Sequence, residues 1–260
     1  TTEIYTLSLH DALPILGAGL HPMGYDAELS DKCRQHSAYV SANGGENVDD
    51  PYRQNPGNPG ASAQGASIAG SSLYWLLDEP APQAIAAHLG HIFYRSLYIR
   101  GNVENMGIGH TETIFVFNSS VASPNPIEYR YPVMTPGPGQ IIPYLLYNPT
   151  RATFDPVDPR PGGGGGAFPA MLTWDWGEKG ELVDAKVFMI KKGKEVAQQV
   201  VSSGPNKPAF PNYFPDNRGA IAVIPLNGYD AKTQYRVVIT YKLGGQEKVA
   251  DWTFETGAGN

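Results

Sequence analysis

Cysteine is all but absent. Cys33 is the only one in 260 residues, which excludes an internal disulfide framework and any metal cluster built on cysteines alone. Charge is sparse too: 17% of residues are Asp, Glu, Lys or Arg, against about 25% in an average soluble protein. The 19 basic side chains form no block and are outnumbered by 25 acidic ones, for a net charge of −6. Such a chain offers no electrostatic footprint for nucleic acid or for an anionic membrane surface. No apolar run approaches the ~18 residues that suggest a transmembrane helix. His-Glu-x-x-His and Gly-x-Gly-x-x-Gly are both missing, so neither a zincin helix nor a dinucleotide fingerprint is present. What remains is 41% apolar residues, enough for a sizeable core, together with 30 Gly and 23 Pro. Gly and Pro stay below the ~25–30% of low-complexity sequence. The expectation is a globular protein with long loops and room for two domains.

The first fifteen residues, Thr1–Ile15, fit nothing that follows. They have no basic start, no long apolar stretch and no small-residue cleavage site, so they are not a secretory signal. They read as adapter sequence translated in frame, which would leave the natural N-terminus and any signal peptide outside this chain. The next region, 16–118, begins with a helix. Asp26 can cap it, and Leu29, Cys33, His36 and Val40, at spacings of 4, 3 and 4, share one face. Asn43-Gly44-Gly45 can stop it. A polar loop, Glu46 to Gly65, holds Pro51, Pro56 and Pro59, and a short apolar stretch, Ser71 to Leu77, follows it. Pro80-Ala81-Pro82 opens a second helix from Gln83 to about Leu97, with Ile85, Leu89 and Ile92 on one stripe. Asn105 to Asn118 reads as a turn and a strand. This order of elements predicts an α+β or α-β-α layered domain.

The region 119–167, rich in Pro, Gly and Tyr, reads as a connector that ends in Gly162 to Gly166. The region 168–257 reads as all-β. Tyr235, Val237, Ile239 and Tyr241 alternate with Arg236, Val238, Thr240 and Lys242, the pattern of a half-buried strand. Leu243-Gly244-Gly245-Gln246 is a hairpin turn, and Lys248 to Phe254 the returning strand. Further strands are expected at Met171–Trp176, Val183–Ile190, Glu195–Val201 and Ala220–Ile224. About seven short strands predict a β-sandwich able to fold by itself. Thr233-x-Tyr235, after Leu226, resembles the tyrosine corner of immunoglobulin-like and fibronectin type III-like modules, in which the hydroxyl bonds back to the upstream backbone.

Nucleophile chemistry finds little support. Gly65-Ala66-Ser67-Ile68-Ala69-Gly70 misses the Gly-x-Ser-x-Gly elbow by one residue and follows no clear strand. Asn118-Ser119-Ser120 is a formal glycosylation sequon. Histidines are the better candidates. His88, His91 and Arg95 fall on one stripe of the second helix, at spacings of 3 and 4. His36 lies on the apolar face of the first. Two packed helices could bring these together near Glu46 or Glu112, and two imidazoles with a carboxylate suit zinc or nickel. The plainer alternatives are a buried, hydrogen-bonded His36 and a solvated His88/His91/Arg95 face.

Tyr25-Asp26-x-x-Leu29, Cys33-x-x-His36-x-x-Tyr39-Val40-x-x-Asn43, Phe93-Tyr94-Arg95 and Met106-Gly107-Ile108-Gly109 together resemble the CAP superfamily. This superfamily is also called SCP-like, after the cysteine-rich secretory, antigen 5 and pathogenesis-related 1 proteins. The resemblance covers 16–118 and is to a divergent bacterial branch, whose members often carry a C-terminal immunoglobulin-like module. Pro138-Gly139-Gln140 and Trp252-x-Phe254-x-Thr256 also resemble that branch. The resemblance implies an α-β-α sandwich whose cleft holds two His and two acidic residues. Tyr94 stands where the family has the His of a His-Arg pair, and His91, one turn upstream, is its substitute. Where the family places its other His, this chain has Asn47-Val48-Asp49-Asp50-Pro51. Gly45-Glu46-Asn47 resembles the family's Gly-Glu-Asn triplet.

The fold expected from all this is α+β: a CAP-like α-β-α sandwich, then an all-β immunoglobulin-like sandwich. The cleft candidates are His36, Glu46, His88, His91, Tyr94, Arg95 and Glu112. The function expected is that of a secreted or cell-envelope binding module, non-enzymatic, with a degenerate cleft, an unidentified extracellular ligand and no cofactor beyond weak zinc. The alternative is a metal-dependent hydrolase of peptide or cell-wall polymer, with His91, His36 and an acidic partner activating water.

Overall fold

Asp26 starts the first helix, α1 (Ala27–Ala42), as its sequence position predicts. Its carboxylate accepts the Leu29 N–H at 2.9 Å from an extended backbone, the geometry of an N-cap. The helix ends at Asn43, and Gly44 (φ 102°) and Gly45 (φ 59°) carry the chain on through the left-handed region that L side chains resist. Leu29, Cys33, His36 and Val40 are all buried. The computed structural model describes residues 24–45, 48, 50–76, 95, 103–121, 132–142, 170–174, 180–202, 219–225 and 228–258. The leader Thr1–Ile15 and the expected second helix, except Arg95, lie outside them.

The chain divides into two units. In the N-terminal one, α1 packs on a hairpin formed by β3 (Val103–His110) and β4 (Ile114–Val121). The hairpin lies in a four-stranded sheet of order β1-β3-β4-β2. Here β1 (Gly24–Tyr25) runs parallel to β3, and β2 (Leu73–Leu76) runs antiparallel to β4. Both faces of β4 are buried. Ile114 and Val116 join Leu29, Cys33, Tyr39, Val40 and Ile68 in one cluster, while Phe115 and Phe117 point to the other side. The stretch expected as a turn and one strand is therefore two strands closed at Thr111–Thr113. Thr111 Oγ1 accepts the N–H groups of Thr113 and Ile114, and the Thr111 N–H donates to Ile114 O at 2.8 Å. Its threonines, good strand formers by type, serve the turn instead. A second helix, α2 (Ala63–Ala69), occupies the end of the expected polar loop and packs on α1; Ser62 caps it by accepting the Gly65 N–H at 3.0 Å.

The C-terminal unit is built from two sheets. One has the order β10-β11-β7-β5, the other β6-β13-β12-β8-β9. The strands are β5 (Val133–Thr135), β6 (Ile141–Ile142), β7 (Ala170–Thr173), β8 (Gly180–Met189), β9 (Lys194–Glu195), β10 (Gln198–Ser202), β11 (Ala220–Pro225), β12 (Gln234–Leu243) and β13 (Gln246–Thr256). Ala170, Leu172, Ile221 and Val223 of the first sheet share one core with Val187, Tyr235, Val237, Ile239, Trp252 and Phe254 of the second. Trp174 stacks on Tyr241 in the same core. The β12–β13 hairpin turns where expected: Leu243 pairs with Gln246 across Gly244 (φ 58°) and Gly245 (φ 79°), the backbone of a type I′ turn. Solvent-side charges are paired, Arg236 with Asp251 and Lys186 with Asp184.

Two features depart from the sequence reading. The strands β5 and β6 come from the stretch expected as connector, and each forms an edge of one sheet. The first sheet is also buried on both faces, since Met171, Ala220, Ala222 and Ile224 form a second buried cluster on the side away from the shared core. The upstream bond expected of Tyr235 is present. Its hydroxyl accepts the Asp230 N–H at 2.6 Å, and its ring packs with Tyr229 and Phe254. Tyr235→Phe keeps the ring and leaves that N–H without its acceptor. A loss of about 1 kcal/mol, read as a lowered denaturation midpoint at constant slope, is expected.

Candidate functional site

The N-terminal unit concentrates its buried polar chemistry where α1 meets residues 50–62. That segment is a chain of turns. Tyr52 N–H bonds Asp50 Oδ1 at 2.9 Å, Gly57 N–H bonds Asn55 Oδ1 at 3.0 Å, Asn58 N–H bonds Asn55 O at 3.0 Å, and Ala61 N–H bonds Asn58 O at 3.3 Å. The repeated Asn-Pro-Gly at 55–57 and 58–60 drives the geometry, because Asn accepts locally and Pro pre-sets φ for the turn.

Two side chains of α1 and that of its C-cap, Asn43, hold this strap. Tyr39 Oη accepts the Asn55 N–H at 3.0 Å, and Asn43 Nδ2 donates to Pro59 O at 2.8 Å. His36 is the third and the most constrained. Its Nε2 lies 2.9 Å from Pro51 O, a pure acceptor, so Nε2 carries the proton. Its Nδ1 lies 3.0 Å from Gln54 Nε2 and accepts from it. The amide orientation of Gln54 is fixed in turn, because its Oε1 accepts the Ser62 N–H at 2.8 Å. The chain Pro51–His36–Gln54–Ser62 is thus fully satisfied and ends at the cap of α2. Burial holds the His36 imidazole below its ordinary titration range, against the smaller opposing pull of Pro51 O.

Both ring nitrogens of His36 are therefore occupied. A metal would have to displace Gln54 from Nδ1 or Pro51 from Nε2, leaving a buried polar group unpaired. Glu112, the acidic candidate among the described residues, sits exposed in the β3–β4 turn. That turn touches the end of α1 through Thr113, whose hydroxyl lies 3.4 Å from that of Ser41. Among the described residues no three His, Cys, Asp or Glu side chains come together as a metal-binding group. Arg95 is helical and 1% exposed. It groups with the C-terminal unit, where its charge favours the Tyr229 phenolate while burial pushes that hydroxyl well above its ordinary range. His36 and Arg95 thus belong to different units. Glu46, His88, His91 and Tyr94 lie outside the described residues.

Other groups flagged by sequence have structural roles. Cys33 is buried; desolvation pushes its thiol up to about 12, and Sγ donates to Gly107 O at 3.4 Å. It is a packing residue rather than a nucleophile. Ser67 is exposed on α2 with its hydroxyl bonded to Gln64 O at 2.7 Å, so no strained elbow is present. Asn118, the sequon residue, is 5% exposed, and its amide donates to Ser72 Oγ at 2.9 Å and Ser71 Oγ at 3.1 Å. That nitrogen is engaged and shielded from glycosylation in the folded protein. Sequence reasoning passed over Gln54 and Ser62, which complete the His36 chain. The one signal available for Ser62 was its fitness as a helix cap.

Comparison with known families adds one finding. Residues 16–113 match the family model of CAP, the cysteine-rich secretory protein family. This supports, at the level of the superfamily, the likeness carried by Tyr25-Asp26, Cys33-x-x-His36 and Met106-Gly107-Ile108-Gly109. No curated protein matches the chain.

Proposed function

We propose that this protein is a CAP-like binding module of a divergent bacterial type, secreted or held at the cell envelope, that recognises an extracellular ligand without catalysis. In this reading the N-terminal unit completes an α-β-α sandwich and the C-terminal unit is an immunoglobulin-like sandwich. The CAP match over 16–113 carries the proposal. The state of His36 supports it: an imidazole committed at both nitrogens is unfit to activate water or hold zinc. In the described residues no helix is long and apolar enough to cross a membrane.

Zinc titration tests the choice between module and hydrolase. A catalytic site needs three protein ligands at ~2.0–2.2 Å with partners fixing each imidazole. Calorimetric titration of zinc into the dialysed full chain near neutral pH is expected to show weak binding or none, unchanged in His91→Ala. Submicromolar binding that vanishes in His91→Ala, joined to zinc-dependent cleavage of peptide or cell-wall polymer, would overturn the binding reading in favour of the hydrolase.

A further inference from the structure

The His36 chain is locked in one polarity. We propose that protonation of His36 releases the 50–62 strap from α1, making this segment an acid-sensitive latch. The proposal does not depend on the binding reading above.

The geometry forces the outcome. In the neutral ring Nε2–H donates to Pro51 O and Nδ1 accepts from the Gln54 amide, whose oxygen accepts from Ser62. A proton on Nδ1 places two donors face to face. Turning the Gln54 amide relieves that clash but presents its NH2 to the Ser62 N–H, so the misfit moves one link along. Neither arrangement satisfies all the donors. Room to escape is lacking. The side of Gly65 that a Cβ would occupy is filled by Gln54 Nε2, Ser62 Oγ and the His36 backbone nitrogen.

Among the described residues no neighbouring charge offsets the imidazolium. On α1, Lys32 pairs with Glu28 and Arg34 with Asp31; in the strap, Arg53 lies by Asp50, all at the surface. Tyr39 stacks beside the ring. The helix α2 carries no titratable group. Cys33, Glu104, His110 and Glu112 belong to the side of α1 that packs on the β3–β4 hairpin, or to that hairpin itself. The direction follows. A buried ring held below its ordinary range contributes stability that is complete above ~6.5. That stability drains away as pH falls, because the released ring takes up the proton more readily than the bound one.

The test is amide hydrogen exchange on the full chain between about pH 7.5 and pH 5, either side of the ordinary histidine range of ~6.5. After correction for intrinsic rates, protection at Asn55 and Ser62 is expected to fall by about tenfold or more on acidification, while the β3–β4 amides hold theirs. Gln54→Glu is expected to reverse the trend, since a carboxylate accepts both from Ser62 and from a protonated Nδ1. The long-range nitrogen spectrum of the wild-type ring gives an independent reading, with a protonated Nε2 and a bare Nδ1 at neutral pH. Constant protection down to pH 5, an equal loss throughout β3–β4, a Gln54→Glu chain that behaves as wild type, or a ring already doubly protonated at neutral pH would each overturn the latch.

Discussion

Gly109→Ala is expected to destabilise the N-terminal unit by about 3 kcal/mol or more, at the upper end of what overpacking costs. The helix α1 rests on β3 by backbone-to-backbone approach, and two glycines make that possible. A Cβ on Gly109 would lie far inside 3.0 Å of the Arg34 nitrogen and the Cys33 carbonyl carbon, and one on Gly107 would stand 2.6 Å from the Leu29 carbonyl carbon. These obstacles are main chain, so no rotamer change relieves them. Neither glycine has a positive φ, and the cost is therefore close approach rather than conformational strain. The control is Gly57→Ala, whose nearest neighbour would be Asn55 Oδ1 at 3.5 Å, ordinary contact distance. Denaturation followed by circular dichroism is expected to show a large loss for Gly109→Ala and little for Gly57→Ala. Equal midpoints for the two would mean that α1 does not sit against β3 as described.

The same glycines show what the sequence made legible. Met106-Gly107-Ile108-Gly109 was recognisable as a motif, but its purpose, a helix lying on a strand, emerges only from the fold. Wherever one periodicity governs, sequence and structure agree: the buried stripe of α1, its Asp26 cap, and the alternation of Tyr235 to Tyr241 into the shared core. Local hydrogen bonding competes with periodicity elsewhere. Thr111 and Thr113 have strand-forming side chains and build a turn. Val133–Thr135 lies between Pro132 and Pro136 and is too short to show alternation, yet it forms an edge strand. The helix α2 is only seven residues long with Gly65 in its first turn, too short for a period to show, and the sequence reading takes its start as loop. For His36, sequence placed the imidazole on a buried face and left open whether it was a ligand. Its partners Pro51 and Gln54 lie 15 and 18 residues away in a loop, and no spacing rule connects them.

A fragment beginning at Phe168 is expected to be largely unfolded, whereas one beginning at residue 129, which lacks Arg95 as the shorter one does but keeps β5 and β6, retains the two-sheet core. The sequence pattern starts the all-β region at 168, but strands β5 and β6 lie upstream and close one edge of each sheet. Without them Trp252 loses Pro136 O, the acceptor of its buried indole N–H at 2.8 Å. Thr253 O loses the Gly139 N–H, Glu255 N–H loses Gln140 O, and Gly257 N–H loses Ile142 O. Ile142, 2% exposed in the shared core, and Val133, 1% exposed, are removed outright. An orphaned buried donor costs about 1–3 kcal/mol, and each lost buried aliphatic side chain about 1.5–3 kcal/mol. One such donor, the Trp252 indole, and two such side chains together match the lower part of the ~5–15 kcal/mol that holds an ordinary domain together. Truncation also bares the edges of β7 and β13 to self-association. Near-ultraviolet circular dichroism, dominated by buried Trp174, Trp252 and the Tyr229–Tyr235–Phe254 cluster, is expected to be lost in the shorter fragment and kept in the longer. If the two melt with equal cooperativity at the same temperature, β5 and β6 contribute nothing, and the boundary of the C-terminal unit belongs at residue 168.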